Sequence, residues 1–422
     1  MKKNLVKINI LFISFCLIFS FFHMCFADDD LLDNETIDVS SEILKTVSDT
    51  SSSLDSASLN SRACIVLDRK SNRIIYGKNE KNKVKMASTT KIMTATIVIE
   101  NYDLSKTVEI SKKAAGTGGS RLGLKQGDKI SVLDLLHGLM LCSGNDAAVA
   151  LAETVAGSIP EFSDMMNNKA KELGLENTHF ESPHGLDSDN HYTTAYDLSL
   201  LTNYALNNET FLKIVGTKNY TVTINGYPKN ITNTNELLGT LNGVYGVKTG
   251  FTNGANRCLV TACKRNDLDI ICVVLGCDTK NFRTKDSIKL IEYTFQNYEY
   301  LNISDLIDEN LNNWKEENFN NFNIKKGVSN NIEIYYQTPD FSVIPIKKAD
   351  KNNIEVIINI DTNLTAPVYE NSEIGNLYIL CNGEEVFTTN ILSSTYIPKK
   401  NISNYYLDFF KNYSSLLNGF SI

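Results

Sequence analysis

Three short motifs in the chain combine residue types that can carry out acyl transfer. They are Ser88-Thr89-Thr90-Lys91, Ser143-Gly144-Asn145 and Lys248-Thr249-Gly250. A serine hydroxyl is a weak nucleophile until a base removes its proton. Ser88 and Lys91 are three residues apart, and on a helix that spacing places two side chains on one face, within reach of each other. The first motif therefore predicts a serine nucleophile with a lysine as its base.

The second motif supplies groups along the route of the proton. A lysine acts as a base when burial or a neighbouring cation lowers its pKa, and Lys248 is the candidate for that cation. We expect Ser143 to pass a proton to the leaving amine, and Asn145 to hold Lys91 and the substrate amide. Both residues lie at a break before a helical pattern. The catalytic set predicted from the sequence is therefore Ser88, Lys91, Ser143 and Asn145.

The third motif begins a strand and has the residue types of a substrate-binding edge. We expect Lys248 and Thr249 to bind a substrate carboxylate, and Gly250 to let the substrate backbone pair closely with the strand. The backbone N–H groups of Ser88 and Phe251 are the expected oxyanion hole. Loss of one such donor costs roughly 3–4 kcal/mol of transition-state stabilisation.

Each motif alone is weak evidence, because S-x-x-K or K-T-G usually marks an exposed turn or helix face. Together, S-x-x-K and K-T-G mark penicillin-binding proteins and class A β-lactamases. Over roughly residues 62–395 the chain resembles the low-molecular-mass penicillin-binding proteins, the serine-type D-Ala-D-Ala carboxypeptidases. The segments that carry this resemblance are residues 86–95, 139–148, 182–186 and 248–252.

This resemblance implies a fold, a substrate and a class of inhibitor. The fold is of the α/β class in its α+β form: a transpeptidase domain of the β-lactamase type, in which helices flank an antiparallel sheet, followed by a small all-β domain. The implied substrates are peptidoglycan stem peptides ending in D-Ala-D-Ala, and the implied inhibitors are β-lactam antibiotics. No cofactor is expected. By the same resemblance, Arg283 helps to bind the terminal carboxylate.

Two stretches depart from the pattern of that family. Cys142 stands where family members often have proline before the second motif, which concerns the rigidity of the loop rather than its chemistry. Residues 253–257, Asn-Gly-Ala-Asn-Arg, differ from the commoner Ala-Gly pattern after the third motif.

Other polar residues near the motifs are expected to be structural. His184 lies in a Ser-Pro-His-Gly loop, and Ser88 already has Lys91 within reach as its base. Asp187 and Asp197 have the positions of loop and capping residues.

The hydrophobic pattern of residues 61–298 predicts one catalytic domain with a sheet built from both of its ends. Strand-like runs separated by turns predict a hairpin over residues 63–76 and another over residues 257–275. Apolar residues at helical spacing predict helices over roughly 89–101, 131–157, 160–173 and 284–298. Because these strands do not alternate with helices, the order favours an antiparallel sheet with an inserted helical block.

Residues 299–396 predict a small β-sandwich-like domain, in which Asn382-Gly383 is a strong hairpin signal. The tail, residues 397–422, places aromatic and aliphatic side chains at intervals of three and four, which predicts an amphipathic helix. This helix either packs on the β domain or lies on the outer face of a membrane, and we favour attachment to the membrane.

The N-terminus predicts export. A basic segment precedes the apolar residues 8–22, a run that is short for a membrane span, so residues 1–27 are expected to be a signal peptide. Residues 28–60 are acidic and then rich in Ser and Thr, which predicts a flexible leader. The mature protein is therefore expected outside the cytoplasmic membrane, at its outer face or in the cell wall.

Charge and cysteine content argue against a nucleic-acid-binding protein and against a metal-binding protein. The 41 Lys and Arg residues against 49 Asp and Glu give a net charge of −8, which argues against nucleic acid as a partner. Cys258, Cys263, Cys272 and Cys277 have the order C-x4-C-x8-C-x4-C. An offset of five along a strand points two thiols to opposite faces. We therefore expect buried thiols and no metal site.

Three alternative functions use the same fold or the same residues. A class A β-lactamase needs a Glu with Asn four residues on, and no such pair lies between Asn145 and Lys248. A non-catalytic penicillin-recognising sensor would not need all three motifs intact. A D,D-endopeptidase that cuts peptide crosslinks uses the same residues, so the sequence leaves it open.

Overall fold

The computed structural model describes residues 38–48, 54–318 and 320–418. They divide into two compact units between Gln296 and Asn297. The predicted signal peptide, residues 1–27, lies outside the described residues. No helix within those ranges is long and apolar enough to cross a membrane.

The first unit combines helices with antiparallel strands. Its helices are α1 Val39–Ser48, α2 Lys91–Asn101, α3 Lys112–Ala115, α4 Val132–Leu141, α5 Asn145–Ala156, α6 Ile159–Glu172, α7 Ala195–Ala205, α8 Glu209–Val215 and α9 Lys280–Asn297. Its strands are β1 Ala63–Asp68, β2 Ile74–Lys78, β3 Thr107–Glu109, β4 Lys129–Ser131, β5 Asn219–Ile224, β6 Tyr227–Thr232, β7 Val244–Thr252, β8 Asn256–Arg265 and β9 Leu268–Cys277.

Five of these strands form the main sheet, in the order β2-β1-β9-β8-β7. β1, from the start of the unit, pairs antiparallel with β9, from near its end, and Ala63 lies opposite Leu275. Every residue of β1 and of β9 is buried. The predicted antiparallel sheet, built from both ends of the unit with helices inserted between them, is confirmed.

The helical pattern over residues 131–157 is two helices, which are separated at the break expected at the second motif. α4 ends at Leu141 and α5 begins at Asn145. Ser143 between them has a positive φ of 60°, which a right-handed helix does not accommodate. The sequence pattern also missed α7, α8 and the small sheet β3-β4-β5-β6, although its Asn225-Gly226 turn is a hairpin signal.

Part of the predicted flexible leader is ordered. Residues Val39–Ser48 form α1, in which Val39 is buried and Glu42 lies 3.6 Å from Lys285 of α9. Apolar residues at 39, 43 and 47 recur every four positions, a helical spacing within a polar composition. The expectation of a flexible leader over residues 28–60 is therefore wrong for this segment.

The second unit is a β domain with helices before and after its main sheet. Its elements are β10 Tyr298–Asn302, α10 Ile303–Asn318, β11 Ile334–Tyr336, β12 Val343–Lys347, β13 Ile354–Ile360, β14 Glu373–Cys381, β15 Glu384–Ser393 and α11 Ile402–Asn418. Four strands form one sheet in the order β11-β15-β14-β13, and β10 pairs with β12. The predicted turn between β14 and β15 is confirmed, since Asn382 and Gly383 both have positive φ.

The expectation that residues 299–396 are all β is wrong for α10. Ile303, Ile307 and Leu311 recur every four residues and are buried. The intervening residues are mostly Asp, Glu and Asn, which lowers the overall hydrophobicity of the segment and hides this short apolar stripe.

The tail contains α11, whose side chains are described as far as residue 414. Its exposed large apolar residues are Ile402, Tyr405, Tyr406, Leu407, Phe409, Phe410 and Tyr413. All except Leu407 are separated by intervals of three, four or one, so they fall on one face of the helix. The predicted amphipathic helix is present, and its apolar face is exposed.

Candidate active site

Ser88 lies in a 3-10 turn, Ala87–Thr90, that leads directly into α2. Ala87 has a positive φ of 49°, an uncommon conformation for a residue with a side chain. Thr90 Oγ1 braces the turn by donating to Ala87 O at 2.8 Å. The local backbone therefore holds Ser88 at the start of α2, where Lys91 is the first helical residue.

Lys91 is the centre of the site and is fully buried. Its Nζ donates to Ser88 Oγ at 2.7 Å and to Asn145 Oδ1 at 2.7 Å. The same Nζ is 3.3 Å from Ser143 Oγ and 3.1 Å from the carbonyl oxygen of His184. Residues from three separate segments thus converge on the Lys91 amine, and they include the other three residues that were predicted to be catalytic.

The second motif is held by a loop that precedes β4 and α4 in the chain. Asn145 N donates to Ser120 O at 2.7 Å, and Asn145 Nδ2 donates to Gly118 O at 2.8 Å. Because Nδ2 is engaged in this way, the carbonyl oxygen of the side chain is the atom that faces Lys91.

Cys142 occupies the position where proline is common in the family that the sequence resembles. Its Sγ donates to Gly138 O at 3.1 Å. Burial raises the pKa of this thiol to about 11, so it is uncharged at neutral pH. Hydrogen bonds, rather than a proline ring, fix the conformation that ends α4.

Asp146, next to the second motif, was not singled out from the sequence. It is fully buried, and its carboxylate accepts four backbone N–H groups. Oδ1 accepts from Leu122 at 2.8 Å and from Ala147 at 2.9 Å, and Oδ2 accepts from Gly123 at 2.8 Å and from Leu124 at 3.0 Å. This carboxylate fastens the loop that in turn holds Asn145.

The third motif lies on β7, at the edge of the main sheet. Lys248 and Thr249 are 1% and 2% exposed. Lys248 Nζ donates to Thr249 O at 3.1 Å, and the hydroxyl of Thr249 lies 2.7 Å from that of Thr234. Thr234 belongs to the segment before β7 and had no recognisable motif around it.

Gly250 has a second reason for lacking a side chain besides the expected pairing with substrate, which stays a prediction. An added Cβ would lie 3.1 Å from Ser88 N and 3.2 Å from Thr89 N. The glycine therefore lets β7 pack against the turn that carries Ser88. This close approach also brings the next residue, Phe251, beside the nucleophile turn. Across the β7–β8 pair, the Arg257 guanidinium stacks 3.7 Å from the centre of the Phe251 ring.

Arg283 is paired with an acidic residue that is distant in the sequence. Its side chain is fully buried, and one guanidinium nitrogen donates to Glu236 Oε1 at 2.5 Å. Burial raises the pKa of Glu236 and Arg283 lowers it, with a net shift below the usual range, so the pair is ionised. Lys248 and Thr249 are buried to nearly the same degree as Arg283. The contact with a substrate carboxylate that was expected for Arg283 stays a prediction.

The loop of residues 182–187 contacts the nucleophile segment at several points. Pro183 O accepts from Thr94 Oγ1 at 2.6 Å, in addition to the contact of His184 O with Lys91. Gly185 has a φ of +87°, and an added Cβ would lie 1.9 Å from Ala87 O. Only glycine fits there. The Ser-Pro-His-Gly sequence signalled a tight loop, but a backbone carbonyl as a partner of Lys91 has no side-chain signature.

The His184 imidazole is not the base. Burial, and secondarily the Lys91 cation, lower its pKa to about 3. Its Nδ1 accepts from Leu186 N at 3.2 Å. A group with so low a pKa is a poor proton acceptor at neutral pH, which supports the structural role expected for it.

The cysteines do not converge on one point. Cys258 Sγ contacts Ala255 O, Cys263 Sγ contacts Asn242 O, and Cys277 Sγ contacts Asp286 Oδ2. Among residues 38–48, 54–318 and 320–418, no group of three or more His, Cys, Asp or Glu residues could hold a metal ion.

Both units match known families. Residues 48–279 match the sequence profile of a family described as D-alanyl-D-alanine carboxypeptidase. Residues 315–399 match the profile described as penicillin-binding protein 5, C-terminal domain. D-alanyl-D-alanine carboxypeptidase DacF of Bacillus subtilis is 34% identical over 329 residues, which cover 76% of this chain and 82% of that relative.

Solved structures share the fold. D-alanyl-D-alanine carboxypeptidase DacD from Francisella tularensis has a TM-score of 0.67 at 27% identity, covering 81% of this chain and 94% of that one. The Streptomyces K15 DD-transpeptidase has a TM-score of 0.55 at 34% identity, covering 57% of this chain and 99% of that one. The first profile spans more than half of the chain, and DacF extends the likeness well beyond it. This chain belongs to the D-alanyl-D-alanine carboxypeptidase family.

Proposed function

We propose that the protein removes the terminal D-alanine from peptidoglycan stem peptides that end in D-Ala-D-Ala, through an acyl-enzyme on Ser88. The observation that carries this proposal is the convergence of Ser88, Ser143 and Asn145 on the buried amine of Lys91. Family membership supports the reaction class, because the relatives are named D-alanyl-D-alanine carboxypeptidases.

Acylation starts at the 2.7 Å contact between Ser88 Oγ and Lys91 Nζ. When Lys91 is neutral, this contact carries the serine proton to Nζ as Oγ bonds to the carbonyl carbon of the penultimate D-alanine. Burial of the amine removes the hydration that favours its charged form. The carbonyl oxygen becomes negative, and the N–H groups of Ser88 and Phe251 stabilise it.

Release of the first product uses the same amine. The peptide C–N bond breaks, and the leaving D-alanine takes a proton from Lys91 through Ser143, whose Oγ is 3.3 Å from Nζ. Water then attacks the ester carbon and gives a proton to Lys91, which returns it to Ser88 Oγ as the shortened peptide leaves. Each proton taken up by Lys91 is passed on, so the enzyme returns to its starting state.

The carboxylate of the departing D-alanine binds at Lys248 and Thr249 on β7. Arg283, whose charge is balanced by Glu236, helps to bind this carboxylate. β-Lactams acylate Ser88 because their strained amide takes the place of the D-Ala-D-Ala bond.

An amine in place of water would turn the same acyl-enzyme into a transpeptidase. The Streptomyces K15 neighbour, named a DD-transpeptidase, makes this the second candidate. Cutting of crosslinks by the same residues is a third outcome. The acyl-enzyme can react with water or with an amine, and analysis of the products distinguishes the two reactions.

The enzyme acts outside the cytoplasmic membrane, after export directed by residues 1–27. The exposed apolar face of α11 holds it at the outer surface of that membrane, close to its cell-wall substrate. This location follows from the substrate, which lies outside the cell membrane, and from the amphipathic pattern of the tail.

The test is product analysis with the chain that lacks residues 1–27. Incubation with a diacyl-L-Lys-D-Ala-D-Ala peptide should give a product shorter by one alanine, together with free D-alanine, as seen by mass spectrometry. Added glycine as an acceptor distinguishes transpeptidation by the mass of its adduct.

Penicillin should label Ser88, and both Ser88→Ala and Lys91→Ala should lose the label. A label that survives Ser88→Ala, or normal acylation of Lys91→Ala, would contradict the proposed mechanism.

A further inference from the structure

Asp187 joins the loop of residues 182–187 to the turn that follows β7. Its Oδ1 accepts from Thr252 Oγ1 at 2.7 Å, and its Oδ2 accepts from Gly254 N at 2.9 Å. Thr252 Oγ1 in turn accepts from Ala255 N at 3.0 Å. An added Cβ on Gly254 would lie 2.8 Å from Asp187 Oδ1, so the carboxylate fits closely over this turn. One exposed side chain thus fixes residues on both sides of Gly254.

The same loop is fixed against the nucleophile turn only two residues earlier. Gly185 lies so close to Ala87 O that no side chain fits between them, and His184 O contacts Lys91 Nζ. The loop is therefore attached at one end to the segment that carries Ser88. At the other end, through Asp187, it is attached to the residue that follows Phe251.

The two backbone N–H groups assigned to the oxyanion hole come from these two segments. Ser88 belongs to the nucleophile turn, and Phe251 belongs to β7. Donors in an oxyanion hole stabilise the transition state only when their spacing matches the developing charge. Whatever fixes β7 relative to the nucleophile turn therefore also fixes the distance between the donors. Gly250 sets how closely the two segments approach, and the loop of residues 182–187 bridges them.

We propose that Asp187 is a positioning residue for acyl transfer, which holds the Phe251 N–H at its working distance from the Ser88 N–H through Thr252 and Gly254. This inference rests on the proposed function, since the two donors matter only if Ser88 forms an acyl-enzyme. Asp187 itself does not touch the reacting atoms. Its effect belongs to the transition state, so it should change kcat and leave the binding of the unreacted peptide unchanged.

The first experiment compares Asp187→Ala with Asp128→Ala in the chain that lacks residues 1–27. Asp128 is a matched control, because it accepts one backbone bond from Lys125 N and one side-chain bond from Asn225 Nδ2, both at 2.7 Å. Complete loss of an oxyanion donor lowers kcat by about 100- to 1,000-fold, so its displacement should lower kcat by about 10- to 100-fold. We expect that loss for Asp187→Ala with unchanged KM, and wild-type kinetics for Asp128→Ala.

The second experiment uses a transition-state analogue, an acyl-peptide boronic acid that forms a tetrahedral adduct with Ser88. In Asp187→Ala its inhibition constant should rise by the same factor as kcat/KM falls, while the affinity for the product peptide stays unchanged. Thr252→Val removes the hydroxyl from the same pathway and should give a similar loss. The double variant should be no worse than Asp187→Ala, because Thr252→Val removes one of the two bonds that Asp187 makes.

The outcomes separate this inference from the function on which it rests. If the wild-type chain releases no D-alanine, the proposed function fails. If the wild-type chain is active and Asp187→Ala and Thr252→Val retain its kcat, Asp187 is not a positioning residue. Equal loss of affinity for the boronic acid and for the product, or additive effects in the double variant, would also overturn the inference. If Asp187→Ala does not fold, Thr252→Val alone still tests whether this connection positions the Phe251 N–H.

Discussion

Two histidines beside the nucleophile segment are uncharged at neutral pH. Burial is the main cause that lowers the pKa of His184 to about 3 and that of His191 to about 4. His191 Nδ1 accepts from Glu181 N at 3.0 Å, and His191 Nε2 lies 2.8 Å from Thr90 Oγ1. Because Nδ1 is an acceptor, a second proton on the ring would break this hydrogen bond. The neutral form is therefore part of the folded structure.

We predict that the free energy of unfolding falls as the pH drops below 6.5. In that range the unfolded chain protonates these histidines near their ordinary pKa of 6.5, whereas the folded chain keeps them neutral down to about pH 4 for His191 and about pH 3 for His184. Each histidine should then contribute a loss of about 1.4 kcal/mol per pH unit.

Urea unfolding at pH 7, 6 and 5 tests this prediction, with His191→Gln as the variant. Circular dichroism follows both units. The emission of Trp314, the only tryptophan in the chain, follows the second unit and serves as an internal reference. Between pH 6 and 5 the variant should lose about 1.4 kcal/mol less than the wild type. Equal slopes for the two proteins would contradict the neutral buried state of His191.

At the residue scale, the sequence predicted which side chains form the site better than it predicted the groups that they contact. The spacing of Ser88 and Lys91 predicted a contact that lies within one turn of chain. The pairing of Glu236 with Arg283 joins residues far apart in the sequence, so no local pattern announces it. The contact of His184 O with Lys91 uses a backbone atom, which every residue possesses.

At the scale of the elements, the break between α4 and α5 is held together by one carboxylate. Asp146 accepts N–H groups from residues 122, 123 and 124 and from Ala147 at the start of α5. The same loop holds the side chain of Asn145 through Gly118 O. A single buried charge therefore replaces the regular hydrogen bonds that this irregular stretch of backbone cannot make.

We predict that Asp146→Asn destabilises the first unit by about 3 kcal/mol or more, because the amide nitrogen cannot accept the N–H groups that the carboxylate accepts. Asp164→Asn is the control, since this exposed aspartate of α6 should change stability by less than about 0.5 kcal/mol. Urea unfolding of both variants gives the comparison. A loss for Asp146→Asn as small as that of the control would show that the four hydrogen bonds are not needed.

The elements themselves were predictable where the apolar pattern was regular. The main sheet followed from two hairpin signals at the ends of the first unit, and the turn between β14 and β15 followed from Asn382-Gly383. α10 was missed because Asp, Asn and Glu separate its buried residues. The break at Ser143 was recognised as a boundary, but the bonds that join Asn145 and Asp146 to the distant loop 118–124 have no local sequence signal.

At the scale of the whole molecule, the proposed attachment to a membrane would depend on α11 and would have little help from charge. The chain has a net charge of −8, and Lys400 next to the helix is engaged with Asp408 at 2.7 Å. Attraction to anionic lipids is therefore weak, and burial of apolar surface, at about 25 cal/mol per Å², must supply the binding energy. The six large side chains on one face of α11 are the surface available for this.

We predict that deletion of residues 402–422 releases the protein from membranes and leaves hydrolysis of a soluble peptide unchanged. The deletion begins at 402 because Lys400 N donates to Lys326 O at 2.7 Å and Lys399 bridges to Gly327, so these residues belong to the β domain. Flotation with phosphatidylglycerol vesicles measures binding.

A triple variant tests the apolar face directly; it combines Tyr406→Ser, Phe409→Ser and Phe410→Ser. This variant should no longer float with the vesicles, whereas Lys411→Ser, which keeps the apolar face, should still float. If the truncated chain loses activity on the soluble peptide, or if the triple variant still floats, the tail packs within the protein and does not anchor it.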